Sequence, residues 1–198
     1  RLCKSTDLNA MRIIFDSNID EAVKIILSGG VVAHATETCY GLACDLGNDE
    51  AVAKLFAIKE RPEGMPVSAL FASIEDVKKY VEWNDVAEEL ASKYLPGPLT
   101  IILPIASKSE TIGVRVSSNS IASKLAELSA IPISTTSANL HGEPEIYSGK
   151  EVLEKFENKE FQPDLILDSG VIPKSSPSTV LKISDGNIEI LRQGSISV

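Results

Sequence analysis

Two cations one residue apart carry the first chemical signal in this chain. Lys59 and Arg61 come at the end of a predicted helix, and Pro62 follows them at once. Arginine offers a planar fork to two oxygen atoms and lysine offers a point charge, so the pair suits a phosphate clamp whose direction the proline fixes. Cations in this position also complement the negative end of a helix dipole, and the sequence leaves that alternative open.

Two further arginines stand within apolar segments. Arg115 alternates with apolar residues in the run 112–116, so it takes the face of a strand opposite to theirs. Arg192 closes the apolar run 188–192. Either side chain could bind an anion in a cavity. Either could instead face solvent, Arg115 from an exposed sheet face and Arg192 from a strand end.

Hydroxyl and amide side chains gather where apolar segments end or begin. Thr36 and Thr38 follow one such segment, Ser137 and Asn139 follow another, and Ser178 precedes a third. Open α/β sheets place their ligands at strand ends of this kind, although turns also favour these residue types for backbone reasons. Cations and hydroxyls without an evident nucleophile suit the positioning of a polyphosphate, where alignment and charge stabilisation do most of the work.

The common catalytic motifs are missing from the sequence. It has no GxxxxGK[ST] or GxGxxG phosphate loop, no GxSxG elbow and no HExxH zinc motif. The three cysteines (Cys3, Cys39 and Cys44) form no CxxC pair, and only His34 and His141 could assist them, so neither a zinc site nor a disulfide framework is expected. A nucleophile pair of Cys39 with a histidine is conceivable, but its partner would be a guess.

Composition narrows the class of protein. With 43% hydrophobic and 24% charged residues in a chain of 198, the sequence is typical of a globular protein with a sizeable core. No segment approaches the roughly 18 apolar residues that a membrane span needs. Residues 1–10 do not resemble a signal peptide, so we expect a cytoplasmic protein without a membrane partner. The formal net charge of −9 disfavours general affinity for nucleic acid.

Helices and apolar strands alternate along the chain until a closing hairpin. Helices are predicted after the capping residues Asn48, Asn84 and Ser148, and over 73–81. The predicted strands are 31–35, 67–71, 99–105, 112–116, 131–135, 164–168, and the hairpin of 179–183 with 188–192 about Asp185 and Gly186.

This order of elements predicts one α/β domain. We place it at 18–194, with an N-terminal extension at 1–17 and a C-terminal tail at 195–198. Apolar strands that alternate with helices favour a mixed sheet, which we expect to be parallel inside and antiparallel toward one edge.

Seven short motifs follow one another along the chain: Thr36-Glu37-Thr38-x-Tyr40-Gly41-Leu42, Lys59-x-Arg61-Pro62, Pro96-Gly97-Pro98-Leu99-Thr100, Val114-Arg115-Val116, Thr136-Ser137-Ala138-Asn139, Ser178-Thr179-Val180 and Leu191-Arg192-x-Gly194. In this order they resemble the YrdC-like family of threonylcarbamoyl-AMP synthases, in its short, single-domain form. The resemblance covers about residues 18–194, and seven ordered motifs are far more specific than any one of them.

The resemblance implies a fold and a reaction. The fold would be a single-domain, twisted, open, mixed β-sheet with helices on both sides and a concave central cavity. The reaction would convert L-threonine, bicarbonate and ATP, with Mg²⁺, into threonylcarbamoyl-AMP and pyrophosphate. It would be the first step of threonylcarbamoyladenosine formation beside the anticodon of tRNA. A separate transferase complex would complete that modification downstream, and any contact of this chain with tRNA would be weak or indirect.

The resemblance also implies roles for individual residues, without indicating metal ligands. Lys59 and Arg61 would be catalytic. Four of the assignments depend on spacing along the chain and not on a matching motif: those of Met65, Leu70, Thr111 and Glu145. The residues expected to surround threonine are Thr36, Thr38, Leu70, Arg115, Thr135 and Ser178. Those expected to contact the nucleotide are Arg61, Met65, Thr111, Ser137, Asn139, Glu145 and Arg192.

The chain departs from the family pattern at three places. Ala35 stands where a proline commonly precedes the first threonine, Ser117-Ser118-Asn119 replaces Pro-x-His, and His141 occupies a small-residue position. None of these changes removes a proposed charge. Two other functions remain as alternatives: an RNA-binding module, and a carbamoyl-transfer enzyme built on the same fold.

Overall fold

The computed structural model describes residues 11–62, 64–184 and 186–198. Cys3, and Asp185 of the predicted hairpin turn, lie outside this part of the chain. Within it, ten strands form one sheet: β1 (Arg12–Phe15), β2 (Val32–Ala35), β3 (Tyr40–Ala43), β4 (Ser68–Leu70), β5 (Leu99–Pro104), β6 (Thr111–Arg115), β7 (Ile133–Ser137), β8 (Leu165–Asp168), β9 (Thr179–Ser184) and β10 (Asn187–Arg192).

The helices begin where the capping residues predict. Asn48 and Asn84 accept hydrogen bonds from main-chain N–H groups of the first turns of their helices, and Ser148 accepts one from Glu151. Across the described ranges the helices are α1 (Ile19–Leu27), α2 (Asp49–Ile58), α3 (Ile74–Val77), α4 (Asp85–Tyr94), α5 (Ser120–Ser129) and α6 (Gly149–Phe156), with a 3₁₀ turn at Asp16–Asn18. None of the helices described here is long and apolar enough to cross a membrane.

The sheet is mixed, as expected, but its arrangement differs from the prediction. The strand order is β1-β8-β2-β3-β7-β4-β6-β5-β9-β10. The central strands β2, β3, β7 and β4 pair antiparallel, whereas parallel pairs lie on both sides of them. The prediction of a parallel interior was wrong because β3 was not recognised as a strand. It follows β2 after only four residues, and so short a connection can join only antiparallel strands.

Other differences concern element bounds. β1 lies within the residues assigned to the N-terminal extension and pairs parallel with β8. The helix predicted over 73–81 is shorter, since α3 is a single turn. β7 extends to Ser137, two residues beyond the predicted end, so Ser137 belongs to a strand and not to the turn after it.

The two faces of the sheet are covered differently. On one face, α2 and α6 pack through Leu55 and Phe156 against β3 and β8, and α4 packs against β5 and β6. On the other face, α1 and α5 cover β2, β8 and part of β7, with Ile26 and Leu125 fully buried among them. The α1 and α5 helices do not extend over the remainder of this second face, which consists of parts of β7 and β4 together with β6, β5 and β9. This uncovered half of the sheet holds the site described next.

Candidate active site

A cavity of about 200 Å³ lies over the uncovered half of the sheet. Its floor consists of alternate residues of neighbouring strands, among them Ser68 on β4, Thr100 on β5 and Thr135 on β7. Three arginines reach it from separate segments of the chain. The lining residues are Thr36, Thr38, Cys39, Gly41, Arg61, Pro66, Ser68, Thr100, Arg115, Thr135, Thr136, Ser137, Glu145, Pro177, Ser178, Val180 and Arg192.

A glycine on β6 keeps the floor of the cavity compact. A Cβ atom at Gly113 would lie 2.6 Å from the Ser68 hydroxyl oxygen and 3.2 Å from the Thr100 methyl carbon. Any larger residue would therefore displace these two side chains, which come from the strands on either side of β6. Because glycine has no side chain, Ser68 and Thr100 can both present hydroxyl groups to the cavity from the two strands that flank β6.

The threonine turn between β2 and β3 uses its two hydroxyls differently. Thr36 Oγ1 accepts hydrogen bonds from the main-chain N–H groups of Thr38 and Cys39, at 3.1 and 3.2 Å, and donates to the Cys39 carbonyl at 2.7 Å. Thr36 thus closes the turn. Thr38 Oγ1 instead accepts a hydrogen bond from Arg115 at 3.0 Å. Both residues line the cavity, and Thr38 is the one linked to its charged wall.

Arg115 is buried at the end of β6, on the face opposite to its apolar neighbours as the alternation predicted, and that face is the one that lines the cavity. Its Nη2 atom lies 2.7 Å from Glu37 Oε1, and Ser117 donates a hydrogen bond to the other carboxylate oxygen. Burial alone would raise the pKa of the Glu37 carboxyl, but the Arg115 charge and the Ser117 hydroxyl together hold that pKa below its ordinary value. Glu37 is therefore ionised and pairs with Arg115.

Arg192 reaches the cavity from β10 and is fastened to the loop before β9. Its Nε atom donates to the Ser178 carbonyl, and its Nη2 atom donates to the Ser178 hydroxyl, both at 3.0 Å. That hydroxyl also lies 3.1 Å from Thr100 Oγ1. Arg192, Ser178 and Thr100 thus form a connected polar wall that joins β10, the loop before β9, and β5. Thr100 belongs to one of the ordered motifs, although its motif alone indicated no role for it.

Arg61 and Lys59 are arranged differently from each other. Arg61 lines the cavity, donates to the Pro66 carbonyl at 2.7 Å and lies over the Phe56 ring. Lys59 is only 4% exposed and does not line the cavity. Its ammonium group donates to the main-chain carbonyls of Ser137 and Asn139 and to the Asn139 side-chain oxygen. Lys59 therefore fixes the segment after β7, and its direct contact with phosphate stays a prediction.

Lys59 also provides a pH-dependent prediction. Burial, together with the nearby Arg61 charge, lowers the pKa of Lys59 to about 8. The ammonium group should lose its proton as pH rises through that value, which weakens its bonds to the carbonyls and removes positive charge beside Arg61. We expect kcat/KM for ATP, measured with the other substrates saturating, to fall about tenfold per pH unit above this pKa. Lys59→Arg should lack this alkaline limb, because arginine stays protonated. If kcat/KM for ATP in Lys59→Arg fell with the same pH dependence, the pH effect could not be assigned to Lys59.

Five predicted site residues lie outside the cavity wall: Lys59, Met65, Leu70, Thr111 and Asn139. Leu70 is fully buried among α1 and α5 side chains. Thr111 is exposed at the start of β6, on the same face of the strand as Arg115 and about 13 Å from it along the strand. Asn139 is buried beside the wall, where its Oδ1 accepts a 2.5 Å hydrogen bond from Ser137. The ligand contacts assigned to these residues stay predictions. The other nine predicted residues line one cavity.

Two buried N–H groups at this site have no hydrogen-bond partner among the described residues. They are the Nε atoms of Arg61 and Arg115. Buried donors in folded proteins are nearly always paired, and unpaired ones call for a missing partner. Because both arginines line the cavity, an anionic ligand is the partner that their chemistry favours.

The cysteine nucleophile considered from the sequence gains no support. Cys39 lines the cavity, but burial raises the pKa of its thiol, which is the opposite of activation. His34 is fully buried, and burial lowers its pKa to about 4. Its Nδ1 atom bonds to the Ala35 carbonyl at 3.0 Å and not to the thiol. His141 is exposed on the loop after β7.

The described residues contain no group of three or more histidine, cysteine or acidic side chains that could hold a metal ion. Glu145 is the one carboxylate among the residues that line the cavity. Mg²⁺ commonly binds through one or two carboxylates together with substrate phosphates. This donor set fits a magnesium ion that arrives with a nucleotide and does not fit a metal held by protein ligands alone.

A mixed α/β sheet with three arginines over a hydroxyl-lined cavity is the kind of fold and site that suits small anionic ligands. The Sua5/YciO/YrdC family, described as "Telomere recombination", matches residues 24–194. The chain therefore belongs to this family. It is 35% identical over 202 residues to a Methanocaldococcus jannaschii protein provisionally named threonylcarbamoyl-AMP synthase, with 93% of each covered. It is 30% identical over 188 residues to the Vibrio cholerae threonylcarbamoyl-AMP synthase, with 89% of this chain and 97% of that one covered.

Solved structures agree with this assignment. The Pyrococcus abyssi Sua5 structure in complex with L-threonine superposes with a TM-score of 0.83 at 34% identity, covering 93% of this chain and 57% of that one. Escherichia coli YciO superposes with a TM-score of 0.83 at 27% identity, covering 93% and 96%. A HypF structure in a phosphate- and nucleotide-bound form has a TM-score of 0.77 at 26% identity, and this chain spans only 29% of it.

Proposed function

We propose that this chain is an L-threonylcarbamoyladenylate synthase, which converts L-threonine, bicarbonate and ATP into threonylcarbamoyl-AMP and pyrophosphate. The observation that carries the proposal is the convergence of Arg61, Arg115 and Arg192 on one cavity with hydroxyl walls. Two of these arginines have a buried N–H group without a partner among the described residues. Relatives bearing this enzyme's name, and a related structure that contains L-threonine, support the choice of reaction.

The reaction requires two bond-forming steps. The threonine amine attacks the carbon of bicarbonate to form a carbamate, with loss of water. A carbamate oxygen then attacks the α-phosphorus of ATP, and pyrophosphate leaves. The carbamate is short-lived in water, so a cavity that holds it beside the phosphorus promotes the second step. Arg115 binds the threonine carboxylate in this proposal, while Arg61 and Arg192 offset the charge of the phosphates.

The size of the cavity limits how the ligands lie. Its volume of about 200 Å³ is below the range of about 300–1,000 Å³ that is typical of small-molecule sites. We therefore propose that threonine and part of the phosphate chain occupy it and that the nucleoside extends beyond the wall. We propose that this extension reaches Thr111, which lies on the Arg115 face of β6. Mg²⁺ would accompany the phosphates, with Glu145 as the available carboxylate, and would neutralise phosphate charge there.

The product has to be passed on, because the carbamoyl-adenylate is an activated intermediate. We propose that the downstream partner is a separate transferase complex, which moves the threonylcarbamoyl group to tRNA. We also propose that the protein acts in the cytoplasm. Direct affinity for tRNA would be weak, since the formal net charge of −9 opposes binding to phosphates.

Product analysis with labelled bicarbonate tests the proposed reaction. The purified chain is incubated with ATP, Mg²⁺, L-threonine and ¹³C-bicarbonate, and the adenylate product is measured by mass spectrometry. The proposal predicts a threonine–AMP conjugate that is heavier by one mass unit than the product from unlabelled bicarbonate. An adenylate without the label would mean that the carbamoyl carbon does not come from bicarbonate.

The HypF likeness provides a reason to test carbamoyl transfer as a second function. Carbamoyl phosphate would then replace threonine and bicarbonate as the donor. The same assay with carbamoyl phosphate separates the two reactions, because only the first depends on threonine. An RNA-binding module would instead show binding with a steep salt dependence and no turnover.

A further inference from the structure

We propose that Glu37 is a positioning residue, held in place by Ser117, which orients the Arg115 guanidinium toward the carboxylate of the bound amino acid. This inference rests on the proposed function, because it names the device that serves its threonine subsite. Neither Glu37 nor Ser117 was assigned a role from the sequence. Ser117 lies where the family pattern has a proline, and a proline has no hydroxyl to donate.

The contacts form a continuous chain between two parts of the fold. Arg115 Nη2 donates to Glu37 Oε1 at 2.7 Å, and Ser117 donates to Glu37 Oε2. The Ser117 hydroxyl in turn accepts the main-chain N–H of Asn119 at 3.1 Å. Both oxygens of the carboxylate therefore have a donor. Glu37 ties the turn between β2 and β3 to the end of β6, so its position is fixed from both sides.

The burial of the ion pair argues against an ordinary surface contact. The Arg115 and Glu37 side chains are 9% and 14% exposed, whereas surface pairs of this protein are far more exposed, such as Lys124 with Glu127 at 49% and 62%. A buried pair contributes little net stability, because desolvation offsets the attraction. It does fix geometry, since a guanidinium bonded through one end can no longer rotate freely.

The donors that remain on Arg115 define what it can bind. Its two hydrogen bonds to described residues both leave from Nη2, to Glu37 and to Thr38. The Nε–H group is buried and has no partner there. Glu37 therefore occupies one end of the guanidinium and leaves the other donors for a ligand. It also compensates part of the Arg115 charge, which reduces the attraction of this position for the triphosphate and leaves phosphates to Arg61 and Arg192.

Ligand binding to purified variants tests the inference. Threonine and ATP are titrated separately by calorimetry, and the Tm is recorded without ligand. We expect Glu37→Gln to weaken threonine binding about 10- to 100-fold, because one charge-assisted hydrogen bond is lost, while ATP affinity changes by less than about threefold. Ser117→Ala should weaken threonine binding about threefold to tenfold, and Ser117→Thr, which retains the hydroxyl, should restore it. Glu21→Gln, which breaks the surface pair with Arg12, is the matched control and should leave both affinities unchanged.

Three results would count against the inference. Threonine affinity within about twofold of wild type in Glu37→Gln would overturn it. A similar loss of threonine and ATP affinity, together with a lower Tm, would show that Glu37 only maintains the fold. Wild-type protein that binds ATP but not threonine would overturn the proposed function and this inference with it, whereas failure confined to the variants leaves the proposed function intact.

Discussion

Replacing Arg115 by alanine is expected to raise the KM for threonine by about 100-fold and to change the KM for ATP by less than about threefold. Arg115 bonds to Thr38 in the threonine turn, and its Nε–H group lacks a protein partner among the described residues. A carboxylate that loses a charge-assisted bond in a partly closed cavity loses roughly 3 kcal/mol, which corresponds to this factor. Steady-state kinetics with each substrate varied in turn measures both constants.

The Arg115→Ala variant needs two controls. It leaves the largely buried Glu37 carboxylate without its partner, which can cost about 3–5 kcal/mol of stability. The double variant Arg115→Ala with Glu37→Gln removes that charge and keeps the test valid if the single variant unfolds. Arg12→Ala deletes a surface arginine and should leave both KM values unchanged. Equal increases in the two KM values for Arg115→Ala would contradict the carboxylate role.

Replacing Lys59 by methionine is expected to reduce both stability and turnover. Two main-chain carbonyls and the Asn139 side-chain oxygen lose their donor, and the free energy of unfolding should fall by about 2–4 kcal/mol. We expect kcat to fall by at least about 100-fold, because Ser137 lies on the cavity wall and the segment after it loses its anchor. Denaturant unfolding and initial rates on the same preparation measure the two effects.

Lys54→Met is the matched control for this prediction. Lys54 lies five residues earlier, within α2, and its side chain pairs with Asp164 while 35% exposed. Its loss should change stability by at most about 1 kcal/mol and leave kcat unaffected. If Lys59→Met keeps wild-type stability and loses only affinity for ATP, Lys59 acts as the direct phosphate ligand that its motif predicted, and it must leave its buried position when ATP binds.

The arginines that line the cavity could be singled out from the sequence because their signals are local, while their contacts with ligands stay predictions. Arg115 was placed opposite to its apolar neighbours by strand alternation, and the structure puts it on the cavity face. Arg61, Arg192 and Ser178 were placed through motifs, and they too line the cavity. Such positions follow from the period of a strand or from residue identity, which a single sequence displays directly.

The sequence could not predict contacts between distant segments. The burial of Lys59 depends on carbonyl groups about 80 residues away, and Glu37 pairs with an arginine at a separation of 78 residues. β3 was missed because it is a four-residue strand that contains a glycine and directly follows a turn, so its alternation is too short to recognise. That omission also produced the wrong expectation of a parallel interior, since the β2–β3 hairpin makes the centre of the sheet antiparallel.

Pyrophosphate release from ATP, measured with and without L-threonine and bicarbonate, tests the central claim most directly. Purified protein with Mg²⁺ should release pyrophosphate only when both co-substrates are present, because the carbamate that attacks the α-phosphorus is made from them. The Arg115→Ala variant should need far more threonine for the same rate. Release that is unaffected by omitting threonine would contradict the account, as would no release with all three substrates present.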